Sequence, residues 1–171
     1  NKEVLSDTGD LLVSPPMTNI PAGRQQLIRV ILPAPLSGSD ERAYRLVIDE
    51  LPGANNMAPK DGVRFLLRYS IPVFVNCKPQ PPNPQDLEFT LDRSTRPVML
   101  KVRNNGSQHS KLGNITLLTG DRSQVMSQGL LGYVLPHSEK EWPLPDGISS
   151  ASSLSLNLND NEQKQTFTLT P

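Results

Sequence analysis

Few residues in this chain have the types and spacing that chemistry needs. There are two histidines, His109 and His137. A metal site needs several His, Cys or carboxylate ligands that converge, and neither histidine has a second His or a Cys at ligand spacing. His109 sits in the polar run NNGSQHSKLG and His137 follows Pro136, so both read as solvated loop histidines. Cys77, the single cysteine, reads as a structural thiol, because no activating partner lies near it. The adjacent Asp49 and Glu50 look like a carboxylate dyad, yet neighbours on a strand point to opposite faces and cannot meet one substrate. No glycine-rich phosphate loop, G-x-S-x-G or C-x-x-C is present. The expectation is a protein with no catalytic residues, no metal and no cofactor, hence not an enzyme. Trp142, in EWPLPDG, reads as a packing anchor. Asn105-Gly106-Ser107 and Asn114-Ile115-Thr116 match the weak N-glycosylation pattern.

The elements that would position these residues are strands. Of 171 residues 17 are proline, about twice the usual share, which disfavours long helices. QLIRVIL (26–32) is β-branched and apolar on both faces, with Arg29 its one charge, and strand patterns recur in YRLVIDELP (44–52), VMLKVRN (98–104), NITLLTG (114–120), SLSLNLND (153–160) and QTFTLTP (165–171). Tyr44, Leu46, Ile48 and Glu50 share one face. Leu154, Leu156 and Leu158 point inward, as do Phe167 and Leu169. Asn105-Gly106 is a hairpin-type turn signal. Short strands between polar turns predict an all-β antiparallel sandwich. The 17 basic and 17 acidic residues cancel, giving no electrostatic reason for nucleic acid or an anionic membrane as partner. No apolar run of 18 residues exists, so no membrane-embedded helix is expected. One cysteine excludes an internal disulfide.

The prolines of NCKPQPPNPQD (76–86) mark a stiff connector between residues 1–75 and residues 87–171. The second part approaches the roughly 100 residues of a complete seven-strand sandwich. The first holds about four strands, too few to cover a sheet face, so its domain is expected to be incomplete in this chain. GVRFLLRYSIPVFV (62–75) is the longest apolar run, and it contains Pro72. Proline is confined to edges, strand ends or bulges, so the greasiest strand is also an expected edge.

Three of these segments together resemble the periplasmic assembly chaperones of the chaperone–usher pathway. LLVSPPMTNIPAGRQQLIRV (11–30) is similar to their "SPP…I.PG..Q.IR" stretch. ERAYRLVIDELP (41–52) is similar to the following strand, which ends in an acidic residue, an aliphatic one and proline. GVRFLLRYSIPVFV is similar to their last N-domain strand. The SIPVFV ending resembles the archaic, Csu-like branch. The second part resembles the C-terminal domain through its strand pattern and WPLP (142–145).

The resemblance implies two immunoglobulin-like sandwiches in a boomerang arrangement, the first lacking its initial strands here. It implies a periplasmic protein that binds pilin subunits by donor-strand complementation through residues 62–75 and passes them to an outer-membrane usher. Alternation on that strand offers Val63, Phe65, Leu67 and Tyr69 to the subunit, interleaved with Arg64 and Arg68 as gatekeepers. Self-association through the exposed strand is a further expectation. Pro72 stands where relatives keep a carboxylate-anchoring lysine, which leaves Arg45 first and Arg68 second as candidate anchors. The family's hinge salt bridge implies Glu41 as one partner; Asn76 stands at the other position, with Lys78 two residues on. The rival reading is a two-domain β-sandwich adhesion or structural protein of the cell surface, in which Phe65 and Leu67 would be buried.

Overall fold

The computed structural model describes residues 4–52, 63, 65–75, 83–145 and 150–170. The chain divides into two compact units, Lys2–Gly38 and Ser39–Pro171. In the first, β1 (Leu12–Ser14) pairs antiparallel with β2 (Arg29–Ile31), Leu12 opposite Ile31. The strand expected over 26–32 thus contracts to three residues, Arg29–Ile31.

The second unit opens with β3 (Arg42–Asp49) and β4 (Arg68–Val75), paired antiparallel along their full length. A turn of 3-10 helix, Pro84–Asp86, follows, with Asn83 accepting the Gln85 N–H as its cap. Then come β5 (Leu87–Asp92), β6 (Met99–Asn104), β7 (Ser110–Thr119), β8 (Arg122–Val125), β9 (Leu130–Val134), β10 (Ser138–Pro143), β11 (Ser153–Leu158) and β12 (Lys164–Thr168). One sheet runs β10-β6-β5. The other runs β12-β11-β7, and the far edge of β7 is covered end to end by β9 and β8.

The core lies between these two sheets and follows from alternation. Leu87, Phe89 and Leu91 of β5 point inward, as do Leu100 and Val102 of β6 and Leu154, Leu156 and Leu158 of β11. Leu169 is buried as expected; Phe167 is half-buried against the core and packs on Phe89, their ring centroids 4.6 Å apart. Trp142 lies against the same core, in the anchoring role its sequence suggests. Beyond β12, Thr170 forms a parallel bridge to Thr90, which ties the end of the described chain to the opposite sheet.

On β7 the inward residues are Leu112, then Ile115 and Leu117. The break in parity is a bulge: the register with β9 shifts at Leu112/Gly113, and Asn114 takes φ 52°. Asparagine tolerates that left-handed region. Its side-chain oxygen accepts the Gly129 N–H at 2.7 Å, and its own N–H reaches the Gly129 carbonyl at 2.8 Å.

Asn105-Gly106 does not make a hairpin. β6 and β7 lie in different sheets, so the residues between them form a corner from one layer to the other. Asn104 builds that corner. Its buried side-chain amide donates to the Gln108 and Val134 carbonyls, and its oxygen accepts the Gly106 N–H. A Cβ on Gly106 would stand 2.6 Å from a carboxylate oxygen of Asp86, so a larger residue there would push the Asp86 side chain aside.

Candidate subunit-binding edge and the cluster at its base

The β3–β4 ladder sorts the side chains onto two faces. Residues directly opposite share a face, so Arg45 and Pro72 lie together with Ala43, Val47, Asp49, Arg68, Ser70 and Phe74. Tyr44, Leu46 and Ile48 share the other face with Tyr69, Ile71 and Val73.

Among the described residues β4 pairs with β3 alone. Its other edge is open. Val63, Phe65, Leu67 and Tyr69 are 80%, 79%, 52% and 55% exposed, respectively. Val63, Phe65 and Leu67 precede β4 rather than forming part of it, so the strand expected from residue 62 begins at Arg68. The reason is the partner: β3 ends at Asp49, and Leu51-Pro52 turn away from a ladder. Among the described residues, the last backbone contact of this ladder is the Glu50 N–H to the Leu67 carbonyl, 2.9 Å. Leu66, of the opposite parity, is exposed too, at 47%. Arg64 lies outside the described residues.

The same contact explains Pro72. Antiparallel pairs alternate between those that exchange backbone hydrogen bonds and those that do not. With Glu50 bonded to Leu67, the bonded residues of β4 are 69, 71, 73 and 75. The pair Arg45–Pro72 falls between them, so the ring nitrogen of Pro72 faces the open edge and no β3 bond is lost.

Of the two candidate anchors, Arg45 is half-buried and directly across from Pro72. Arg68 is committed elsewhere. Its guanidinium forks onto Asp49, Nε to Oδ1 at 2.5 Å and Nη2 to Oδ2 at 2.8 Å. That pairing holds the Asp49 carboxyl below its ordinary range and raises Arg68.

At the base of the hairpin the structure revises one expectation and gives Glu41 a partner the sequence did not suggest. His109 is not a solvated loop histidine. The Glu41 side chain, 1% exposed, accepts the His109 backbone N–H at 3.0 Å and lies 2.6 Å from its Nδ1. The Glu41 N–H in turn reaches the Ser107 carbonyl. The His109 ring stacks on Phe74 of β4, centroids 3.6 Å apart and planes 10° from parallel, with Tyr133 of β9 closing the group. Glu41 is therefore a buried, paired acid, as a hinge residue would be, but its partner is His109. Lys78 and Cys77 lie outside the described residues. His137 stays exposed, with Nε2 3.5 Å from an Asp40 carboxylate oxygen. Sequence reasoning missed His109 because its partner is 68 positions away; the one available signal was a histidine placed just ahead of an alternating strand.

No cluster of three or more metal-ligating side chains occurs among the described residues. No helix of the described residues is long and apolar enough to cross a membrane.

Residues 1–80 match the family model of the pili and flagellar-assembly chaperones, PapD N-terminal domain. None of the curated proteins matches the chain. Among solved structures, the YadV chaperone shares 17% identity at a TM-score of 0.69, over 95% of this chain and 82% of its own. The CsuC–CsuE chaperone–tip adhesion subunit pre-assembly complex, from the archaic Csu pili of Acinetobacter baumannii, shares 22% identity at a TM-score of 0.66, over 96% of this chain and 76% of that one. The CupB2 chaperone of Pseudomonas aeruginosa shares 20% at 0.62, over 94% and 75%. The all-β fold is thus that of two-domain chaperones over nearly the whole chain.

Proposed function

We propose that the chain is a non-enzymatic, PapD-like pilus chaperone of the chaperone–usher pathway and that it caps pilin subunits by donating residues 63–70 as a strand. The observation that carries this is the overhang. Val63, Phe65 and Leu67 lie past the end of β3 and are exposed, and the alternation of β4 continued through them would put them on the face that Tyr44, Leu46 and Ile48 already make apolar. A groove that buries such side chains gains roughly 1.5–3 kcal/mol from each, while main-chain bonds to the open edge supply register. The cell-surface adhesion reading needs Phe65 and Leu67 inside the monomer, and their exposure of 79% and 52% favours donation instead.

The subunit's terminal carboxylate would be met by Arg45, which shares the Pro72 position of the face and adjoins Phe74 there. Arg68 is the second candidate, since its side chain is 72% exposed and solvent screens its charge. The remaining proposals follow from the family: a periplasmic location, delivery of the subunit to an outer-membrane usher, and the archaic branch, for which the SIPVFV ending speaks. Glu41, with His109, would hold the donating hairpin to the C-terminal sandwich.

Co-expression of the full-length chain with the pilin encoded beside it tests the reading. The pilin becomes soluble and co-purifies with wild type, and Phe65→Glu or Leu67→Glu abolishes both effects. Capture that survives both substitutions sinks donor-strand complementation here.

A further inference from the structure

The β3–β4 ladder does not fade out; it is closed by a side chain. In a bonded antiparallel pair each residue gives its N–H to the other's carbonyl. Glu50 and Leu67 keep one half of that exchange, the Glu50 N–H to the Leu67 carbonyl at 2.9 Å. The other half is replaced. The Leu67 N–H donates to Glu50 Oε2 at 3.2 Å, so a carboxylate takes the place of the backbone acceptor. One residue earlier, Asp49 and Arg68 form the forked ion pair described above. One residue later come Leu51 and Pro52, and Pro52 has no N–H to offer a ladder.

We propose that Glu50 is a positioning residue that terminates the β3–β4 ladder at Leu67 and so sets where the donated segment begins. This rests on the donor-strand reading above. Without the carboxylate, the Leu67 N–H loses its acceptor. The chain before it can then swing freely or slip by two residues against β3, the smallest slip that keeps the same side chains on the same face. With the carboxylate, the Leu67 peptide is held, and Leu67, Phe65 and Val63 leave β3 in a defined direction and parity. An acid at position 50 suits this because its side chain can turn back to its own strand's partner after the backbone has diverged toward Pro52.

The test compares Glu50→Ala with Glu50→Gln in the full chain, since the amide oxygen of glutamine still accepts a hydrogen bond. In the free protein, exchange of the Leu67 amide followed by NMR should quicken roughly fivefold in Glu50→Ala, the factor expected for about 1 kcal/mol of hydrogen bond, and stay near wild type in Glu50→Gln. Capture of the neighbouring pilin on co-expression should drop in Glu50→Ala and be retained in Glu50→Gln. An unchanged Leu67 exchange rate in Glu50→Ala overturns the proposal. So does quickened exchange with undiminished capture. Phe65→Glu run beside them separates the two ideas: if it also leaves capture intact, the donor-strand reading itself has failed. An unchanged thermal midpoint in Glu50→Ala confirms that lost capture is not unfolding.

Discussion

Individual side chains in this chain earn their roles through partners distant in sequence. Glu41 is the clearest case. A carboxylate with 1% exposure must be paired, and its pairing rests on one ring and one N–H of His109. His109→Ala removes the ring from Glu41 and the stack from Phe74 while leaving the N–H. It should cost about 1–3 kcal/mol in urea denaturation, the range for a buried polar group stripped of a partner. His109→Phe, which keeps the stack, should recover only part of that loss. Arg45 and Arg68 separate in the same way. Arg45→Glu should weaken pilin capture strongly. Arg68→Glu should cost less, because Arg68 is 72% exposed and already engaged by Asp49.

Elements show which parts of the fold local pattern can and cannot announce. β11 was readable in its inward face because Ser-Leu-Ser-Leu-Asn-Leu has only one way to bury its leucines, though the strand ends at Leu158, two residues before the expected segment does. β3 was equally legible from Tyr44, Leu46 and Ile48. β5 carries the same alternation but follows the proline-rich segment, whose composition masked it. β8 is exposed along its length and has no inward face to read. The corner at Asn105-Gly106 misled because a turn dipeptide reports bend geometry, not which sheet the next strand joins. Outer faces of the sandwich add a pH dependence. Asp92 accepts the Ser94 hydroxyl and backbone N–H and pairs with Lys101 of β6, which also contacts Glu141 of β10. The Ser94 hydroxyl, then Lys101, hold the Asp92 carboxyl down to about 2. A depressed carboxylate stabilises the fold above its unfolded value and loses that contribution as pH falls through the folded one. Stability should therefore fall between roughly pH 4 and pH 2, and Lys101→Met should flatten thermal midpoints over that window.

On the scale of the whole molecule, the sandwich from β5 to β12 supplies a firm base for the hairpin that is proposed to bind the subunit. Leu100, fully buried between the sheets, should lose about 2–5 kcal/mol on change to alanine, read as a lowered denaturation midpoint with pilin capture intact below it. The candidate binding set was legible in sequence as an alternating apolar run. Its exposure was expected from the family resemblance, but the point at which it leaves the ladder was not, since that depends on where β3 stops.

Pro72 bears on a problem every sticky edge shares, that of recognising itself. Two copies joining β4 to β4 about a twofold axis would meet the same missing N–H once from each side, a double gap in a short zipper. A pilin strand has no such symmetry and can stop at Ser70, meeting no gap at all. On the donor-strand reading, a single absent hydrogen atom would thus tell a client from a twin. Pro72→Val should raise the scattering mass of the free protein with concentration while sparing pilin capture.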